Sequence, residues 1–220
     1  MLPGNENGER KVYAQDLIQE ETLNFIRRNA GKPFFAFVPV VLPHAELASP
    51  DDSIAQKYRA LIKDKKAYKG APGSYGSTQT PKADFAAMVA RLDAYVGQIV
   101  EELRKNGIEK NTIIIFSSDN GPHAEGGNNP EFFNSNGSFR GLKRDLYEGG
   151  IRVPMIVSWP GKVQAGKVTD HISAQWDVMP TVKELTSSKA KFKTDGVSFA
   201  KTILGKKGQK QHKYLYWEFH

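Results

Sequence analysis

Asp119 and Asn120 stand at the end of the apolar run Thr112-Ile-Ile-Ile-Phe-Ser-Ser-Asp-Asn-Gly-Pro-His123. A carboxylate beside an amide oxygen makes a pair of hard ligands, suited to calcium or magnesium. Gly121 lets the backbone turn straight after them. An Asx turn is the competing reading, because Asp-Asn-Gly is common where strands end. Three further groups join the pair if the fold gathers them: His44 after Pro43, His123, and Lys143 in the glycine-rich segment 140–150. A metal, an imidazole and an ammonium on one rim suit a tetrahedral anionic ester. The metal withdraws charge from the non-bridging oxygens. Histidine and lysine stabilise or protonate the departing oxygen. Singly, each has a plainer role: a loop histidine, a solvated lysine, or, for Arg152 and Glu148, an ion pair of little energetic value. The joint occurrence carries the case.

The elements that must position these groups alternate between helical and strand patterns. That alternation predicts an α/β fold, a mostly parallel central sheet flanked by helices. Residues 16–29 read as a helix with Leu17, Ile18, Phe25 and Ile26 on one face. Gly31-Lys-Pro33 breaks it, and Phe34-Phe-Ala-Phe-Val38 reads as a buried strand ending near Pro43-His44. Residues 45–80 are polar and irregular, with a short helix expected over 54–62. Thr80-Pro81 opens a long helix whose apolar face carries Phe85, Met88, Val89, Leu92, Val96, Ile99 and Leu103. Asn106-Gly107 ends it in a left-handed cap. Strands follow at 112–116 and 153–159, and a last helix at 174–186. If the sheet is parallel, His44, the 119–123 turn and the Lys143 loop share its carboxyl edge, where open α/β folds place ligands.

Composition bounds the rest. A chain of 220 residues with 39% hydrophobic content builds one good core. No apolar stretch is long enough to span a bilayer. Residues 1–8 have neither a basic region nor an apolar run, so no signal peptide is visible there. The absence of cysteine excludes disulfides, thiolate zinc sites and a cysteine nucleophile. The net charge of +7 gathers largely in 63–69 and 189–213. Neither stretch carries a nucleic-acid motif, so nucleic acid is not an expected partner. A solvated lysine-rich face is the simpler reading, and an anionic substrate the functional one.

The ordered set of motifs resembles the central and later part of a type I sulfatase, in the alkaline-phosphatase-like superfamily. The matching pieces are Lys32-Pro-Phe-Phe-Ala-Phe-Val38 with Pro43-His44, Met88-Val-Ala-Arg-Leu-Asp93, and Asn111-Thr-Ile-Ile-Ile-Phe-Ser-Ser-Asp-Asn-Gly121. Gly141-Leu-Lys143 with Tyr147-Glu-Gly-Gly-Ile-Arg-Val-Pro154, Trp159-Pro-Gly161 and Asp177-Val-Met-Pro-Thr181 continue the series. Asp195-Gly-Val-Ser198 and Tyr214-Leu-Tyr-Trp-Glu-Phe219 complete it. The resemblance implies that residues 1–220 are one catalytic domain truncated at both ends. It implies that Asp119 and Asn120 are metal ligands, for calcium or alternatively magnesium. Lys143 would contact the sulfate and the leaving-group side, His44 would assist the departing oxygen, and His123 would line the substrate pocket.

The family's nucleophile is a formylglycine made from a Cys/Ser-x-Pro-x-Arg motif. Ser158-Trp-Pro-Gly-Lys162 copies its outline, but it lies in the family's Trp-Pro-Gly turn. The first pair of metal-binding aspartates has no counterpart either, since Asp51-Asp52 follows no strand. The expected parent enzyme hydrolyses a sulfate ester, a sulfated glycan among the candidates, and is periplasmic or secreted. The isolated chain is expected to be inactive. Two alternatives are a phosphodiesterase or phosphonate monoester hydrolase of the same superfamily, and a non-catalytic module that binds sulfated glycans.

Overall fold

The computed structural model describes residues 4–6 and 11–219. The reading of the amino-terminal residues therefore falls partly outside the described residues, as does His220 at the end of the tail. The chain divides into two compact units. The first contains Met1–Ile108 and Asn120–Arg152, the second Glu109–Asp119 and Val153–His220. Among the described residues, no helix is long and apolar enough to cross a membrane.

Three helices frame the first unit: α1 (Ala14–Asn29), α2 (Ser53–Ile62) and α3 (Pro81–Lys105). Asp52 caps α2, accepting from the amides of Ile54 and Ala55, both at 3.1 Å. This satisfies donors that a helix start leaves without partners. Gly107, at φ 70°, takes the left-handed conformation expected after α3. Along α3, Ala83, Ala87, Met88, Tyr95 and Leu103 are buried. Gln19 of α1 donates to the Tyr95 carbonyl at 3.1 Å and to Gln98 at 3.0 Å, joining the two helices. Arg91 is buried between Asp16 of α1 and the cap residue Asp52, so one guanidinium holds all three helices.

This core also anchors the loop that carries His44. Leu42 and Leu47 pack with Met88 and Tyr95, pinning the loop on both sides of His44. Gly126 fits against Ala45 and Leu47, where an added Cβ would come within 3.0 Å of the Ala45 side chain.

Two expectations about strands need correction. Residues 34–38 form no strand, and Phe35 and Phe37 are 71% and 79% exposed. A strand persists only where its backbone groups are paired, and no strand lies beside this segment among the described residues. The sheet of the second unit is also not parallel. It pairs β1 (Ile114–Ser117) with β2 (Met155–Ser158) in antiparallel register, Ser117 opposite Met155. A parallel partner requires a crossover to the opposite end of the strand. Here the chain leaves β1 and re-enters β2 at the same end, so the intervening excursion closes a long hairpin.

The short helices α4 (Pro130–Phe133) and α5 (Glu148–Ile151) lie within that excursion. The second unit continues with α6 (Val178–Leu185) and α7 (Ala200–Ile203). Its organising residue is Asp177, which is fully buried. It accepts from Ala174 N at 2.8 Å, Val197 N at 2.7 Å and His212 Nε2 at 2.9 Å. Residues 213–219 of the aromatic tail, despite their strand propensity, form no strand among the described residues.

Candidate functional site

Three segments of the first unit close on one another through glycines. Gly121 N–H donates to the Gly150 carbonyl at 2.8 Å, and Gly149 N–H to the Arg140 carbonyl at 2.7 Å. A Cβ on Gly121 would lie 1.9 Å from the Gly149 oxygen, and one on Gly149 would lie 2.1 Å from the Gly141 oxygen. Backbone passes against backbone here, so these glycines are required by close approach. Lys143 N–H donates to the Pro122 carbonyl at 2.8 Å, tying the lysine loop to the turn after Asn120.

His44, His123 and Lys143 are thereby brought into one neighbourhood. The rings of His44 and His123 lie 5.7 Å apart. His123 is 7% exposed, and both of its ring nitrogens are used. Nδ1 accepts from Glu125 N–H at 3.1 Å, so Nε2 carries the proton and donates to the Pro43 carbonyl at 3.1 Å. Burial lowers its pKa from the ordinary 6.5, with the charges of His44 and Lys143 adding to that direction. The Pro43 bond and Glu125 oppose the shift without cancelling it. The buried imidazole is therefore the neutral form.

His44 is half-buried, and its Nδ1 is tied to the carbonyl of Ala45. That leaves Nε2 as the working nitrogen. It lies 3.9 Å from a Glu125 carboxylate oxygen. Lys143 is also half-buried, and its ammonium has no carboxylate partner among the described residues. Its charge acts on both His123 and the Glu125 carboxylate without a direct ion pair to either.

Asp119 closes the strand-side segment of the second unit and is exposed. Asn120 opens the next stretch of the first unit, and its side-chain amide donates to the Gly121 carbonyl at 2.8 Å. Among the described residues, no group of three or more His, Cys, Asp or Glu side chains is gathered to hold a metal ion. The Asp119–Asn120 pair has the right donor chemistry for calcium. Two ligands, however, do not make the six to eight oxygens that calcium takes. The residues present therefore do not amount to a calcium site.

Glu125, Arg144 and Tyr75 escaped the reading of the sequence. Arg144 forms an ion pair with the Glu125 carboxylate, and Tyr75 donates to it at 3.3 Å. Burial pushes the Glu125 carboxyl up, but the hydrogen bond and charge of Arg144, with Lys143 and Tyr75, more than offset this and hold it below its ordinary value. The available signal was position: Glu125 is two residues beyond His123, and Arg144 directly follows Lys143.

The sulfatase family profile matches residues 3–188. Rat steryl-sulfatase is 31% identical over 204 residues, covering 90% of this chain and 31% of its own length. The uncharacterized sulfatase YdeN of Escherichia coli is 31% identical over 221 residues, covering 99% of this chain and 36% of its own. The crystal structure of Ps i-CgsB in complex with k-i-k-neocarrahexaose superposes with a TM-score of 0.64 at 30% identity, over 84% of this chain and 37% of that one. The chain thus spans about a third of the length of the curated relatives it matches. With the family profile covering most of its length, this chain belongs to the sulfatase family.

Proposed function

We propose that the parent protein hydrolyses a sulfate ester to an alcohol and inorganic sulfate, and that this chain contributes the groups that receive the sulfate. The observation that carries this reading is the half-buried residue Lys143, whose charge acts on His123, the ring neighbour of His44, and which forms no direct ion pair among the described residues. Lys143 neutralises the non-bridging sulfate oxygens. It is worth most during bond cleavage, when negative charge moves onto the leaving oxygen. His44 presents Nε2 to that oxygen and delivers a proton when the ring is charged. Glu125 supplies the nearby countercharge for that imidazolium. His123, neutral and held in one tautomer, packs beside the His44 ring.

Asp119 and Asn120 are proposed as part of the site of a hard cation, calcium in this reading. The formylglycine nucleophile is proposed to come from the part of the relatives that this chain does not match. A sulfated oligosaccharide is the favoured substrate class, since Ps i-CgsB is in complex with k-i-k-neocarrahexaose and the polar side chains of Tyr75, His123 and Glu125 lie beside His44.

Titration of the purified chain with inorganic sulfate, followed by calorimetry, tests the reading. Binding that Lys143→Ala weakens at least tenfold is expected. Equal binding by the two proteins, or none by wild type, would overturn it.

A further inference from the structure

Among the described residues, the Glu125 side chain contacts the loops that carry His44, Tyr75 and Lys143. Its carboxylate holds Arg144, next to Lys143. The same carboxylate accepts from the Tyr75 hydroxyl at 3.3 Å and lies 3.9 Å from His44 Nε2. Its backbone N–H fixes the His123 ring, whose other nitrogen holds the carbonyl of Pro43, the residue before His44. One residue thus connects the loop of His44, the loop of Tyr75 and the loop of Lys143.

Two observations separate this from an ordinary surface ion pair. The Glu125 side chain is only 17% exposed, whereas that of Arg144 is 54% exposed. A carboxylate so enclosed needs its partner more than a surface carboxylate does. Arg144 also adopts a left-handed backbone, φ 80°, at a non-glycine position. Such conformations persist where surrounding contacts over-determine them, and they cluster at functional sites. The turn is closed by Leu142 N–H donating to Asp145 Oδ2 at 2.8 Å and Asp145 N–H to the Leu142 carbonyl at 2.9 Å. Lys143 and Arg144 are its two central residues, and the guanidinium tied back to Glu125 holds the turn toward the His44 loop.

A carboxylate beside an anion site is otherwise a disadvantage, because its charge repels the anion. We infer that Glu125 is a positioning residue that sets the Lys143 turn and the His44 loop in one arrangement through Arg144, Tyr75 and His123. The inference rests on the proposed reading of this neighbourhood as the sulfate site. It assigns Glu125 a role through other residues, not contact with substrate.

The sign of one substitution discriminates. Charge alone predicts that Glu125→Gln tightens sulfate binding. Positioning predicts that it weakens binding, about threefold or more, with partial recovery in Glu125→Asp. Amide hydrogen exchange on the 220-residue chain gives a readout independent of sulfate. In Glu125→Gln, exchange at the Lys143 N–H should accelerate about tenfold, while amides in α3 stay unchanged. Arg144→Ala, at an exposed side chain, should accelerate the same amide and covers the case in which the Glu125 variants fold poorly. Unchanged exchange at Lys143 in both variants, or tighter sulfate binding by Glu125→Gln, would overturn the inference. Absence of sulfate binding by wild type, with the exchange effects present, would overturn the sulfate reading and leave the positioning role standing.

Discussion

The imidazole of His123 donates from Nε2 to the carbonyl of Pro43, 3.1 Å away and 80 residues earlier in the chain. The bond locks the turn after Asn120 to the loop that presents His44. His123→Ala would leave that carbonyl and the Glu125 N–H without their partner in a buried setting. The expected loss is about 1–3 kcal/mol of stability, read as a lower urea midpoint with unchanged slope.

The same residue gives the protein a pH dependence of defined sign. The folded state holds His123 neutral, with its pKa below the ordinary 6.5. The unfolded chain therefore binds more protons as pH falls through 6.5, and stability declines with it. The contribution is fully present above about 6.5 and is lost toward the folded-state value. His171 in the second unit is shifted the same way by burial and adds to the slope. Unfolding free energy measured from pH 7 to pH 5 should fall, and His123→Ala should flatten the slope without abolishing it. Glu125, whose pKa is lowered from 4.5, keeps its stabilising contribution until the medium is more acidic still.

Gly149 is a third point of leverage. A methyl group there must displace the Gly141 carbonyl, which would lie 2.1 Å away. Gly149→Ala should destabilise the protein by roughly 3 kcal/mol, at the upper end of ordinary overpacking. Gly137, which has nothing within 4 Å of its Cβ position, takes φ 55°. Gly137→Ala should show only the smaller backbone penalty, about 1 kcal/mol. Equal thermal shifts for the two variants would contradict the close-approach account.

Much of this was legible in the sequence, for local reasons. Helices α1, α2 and α3 announce themselves by apolar spacing, Pro81 and the Asn106-Gly107 ending. Gly121 reads as freedom to turn, whereas the structure uses it for close approach to Gly149, which the sequence does not show. Strand pairing was not legible, because Phe34-Phe-Ala-Phe-Val38 has strand composition and no neighbour to pair with. The direction of β1 against β2 depends on where a long excursion returns, which residue types do not encode. Glu125 was missed because its importance lies in contacts with residues 50 positions before and 19 after it, Tyr75 and Arg144.

Asp119 and Asn120 give a metal prediction in the direction of weakness. Two oxygen donors should hold calcium with a dissociation constant of about 1 mM or weaker. Asp119→Ala should remove what binding there is. A micromolar affinity in calorimetry would show that further ligands within this chain close around the ion.

Sulfate-ester recognition through Lys143 is the central claim, and titration with p-nitrocatechol sulfate tests it most directly. Wild-type chain should bind the ester, Lys143→Ala should bind it at least tenfold more weakly, and neither should release p-nitrocatechol. Equal affinity in the two proteins would contradict the account, and so would product release by the wild-type chain.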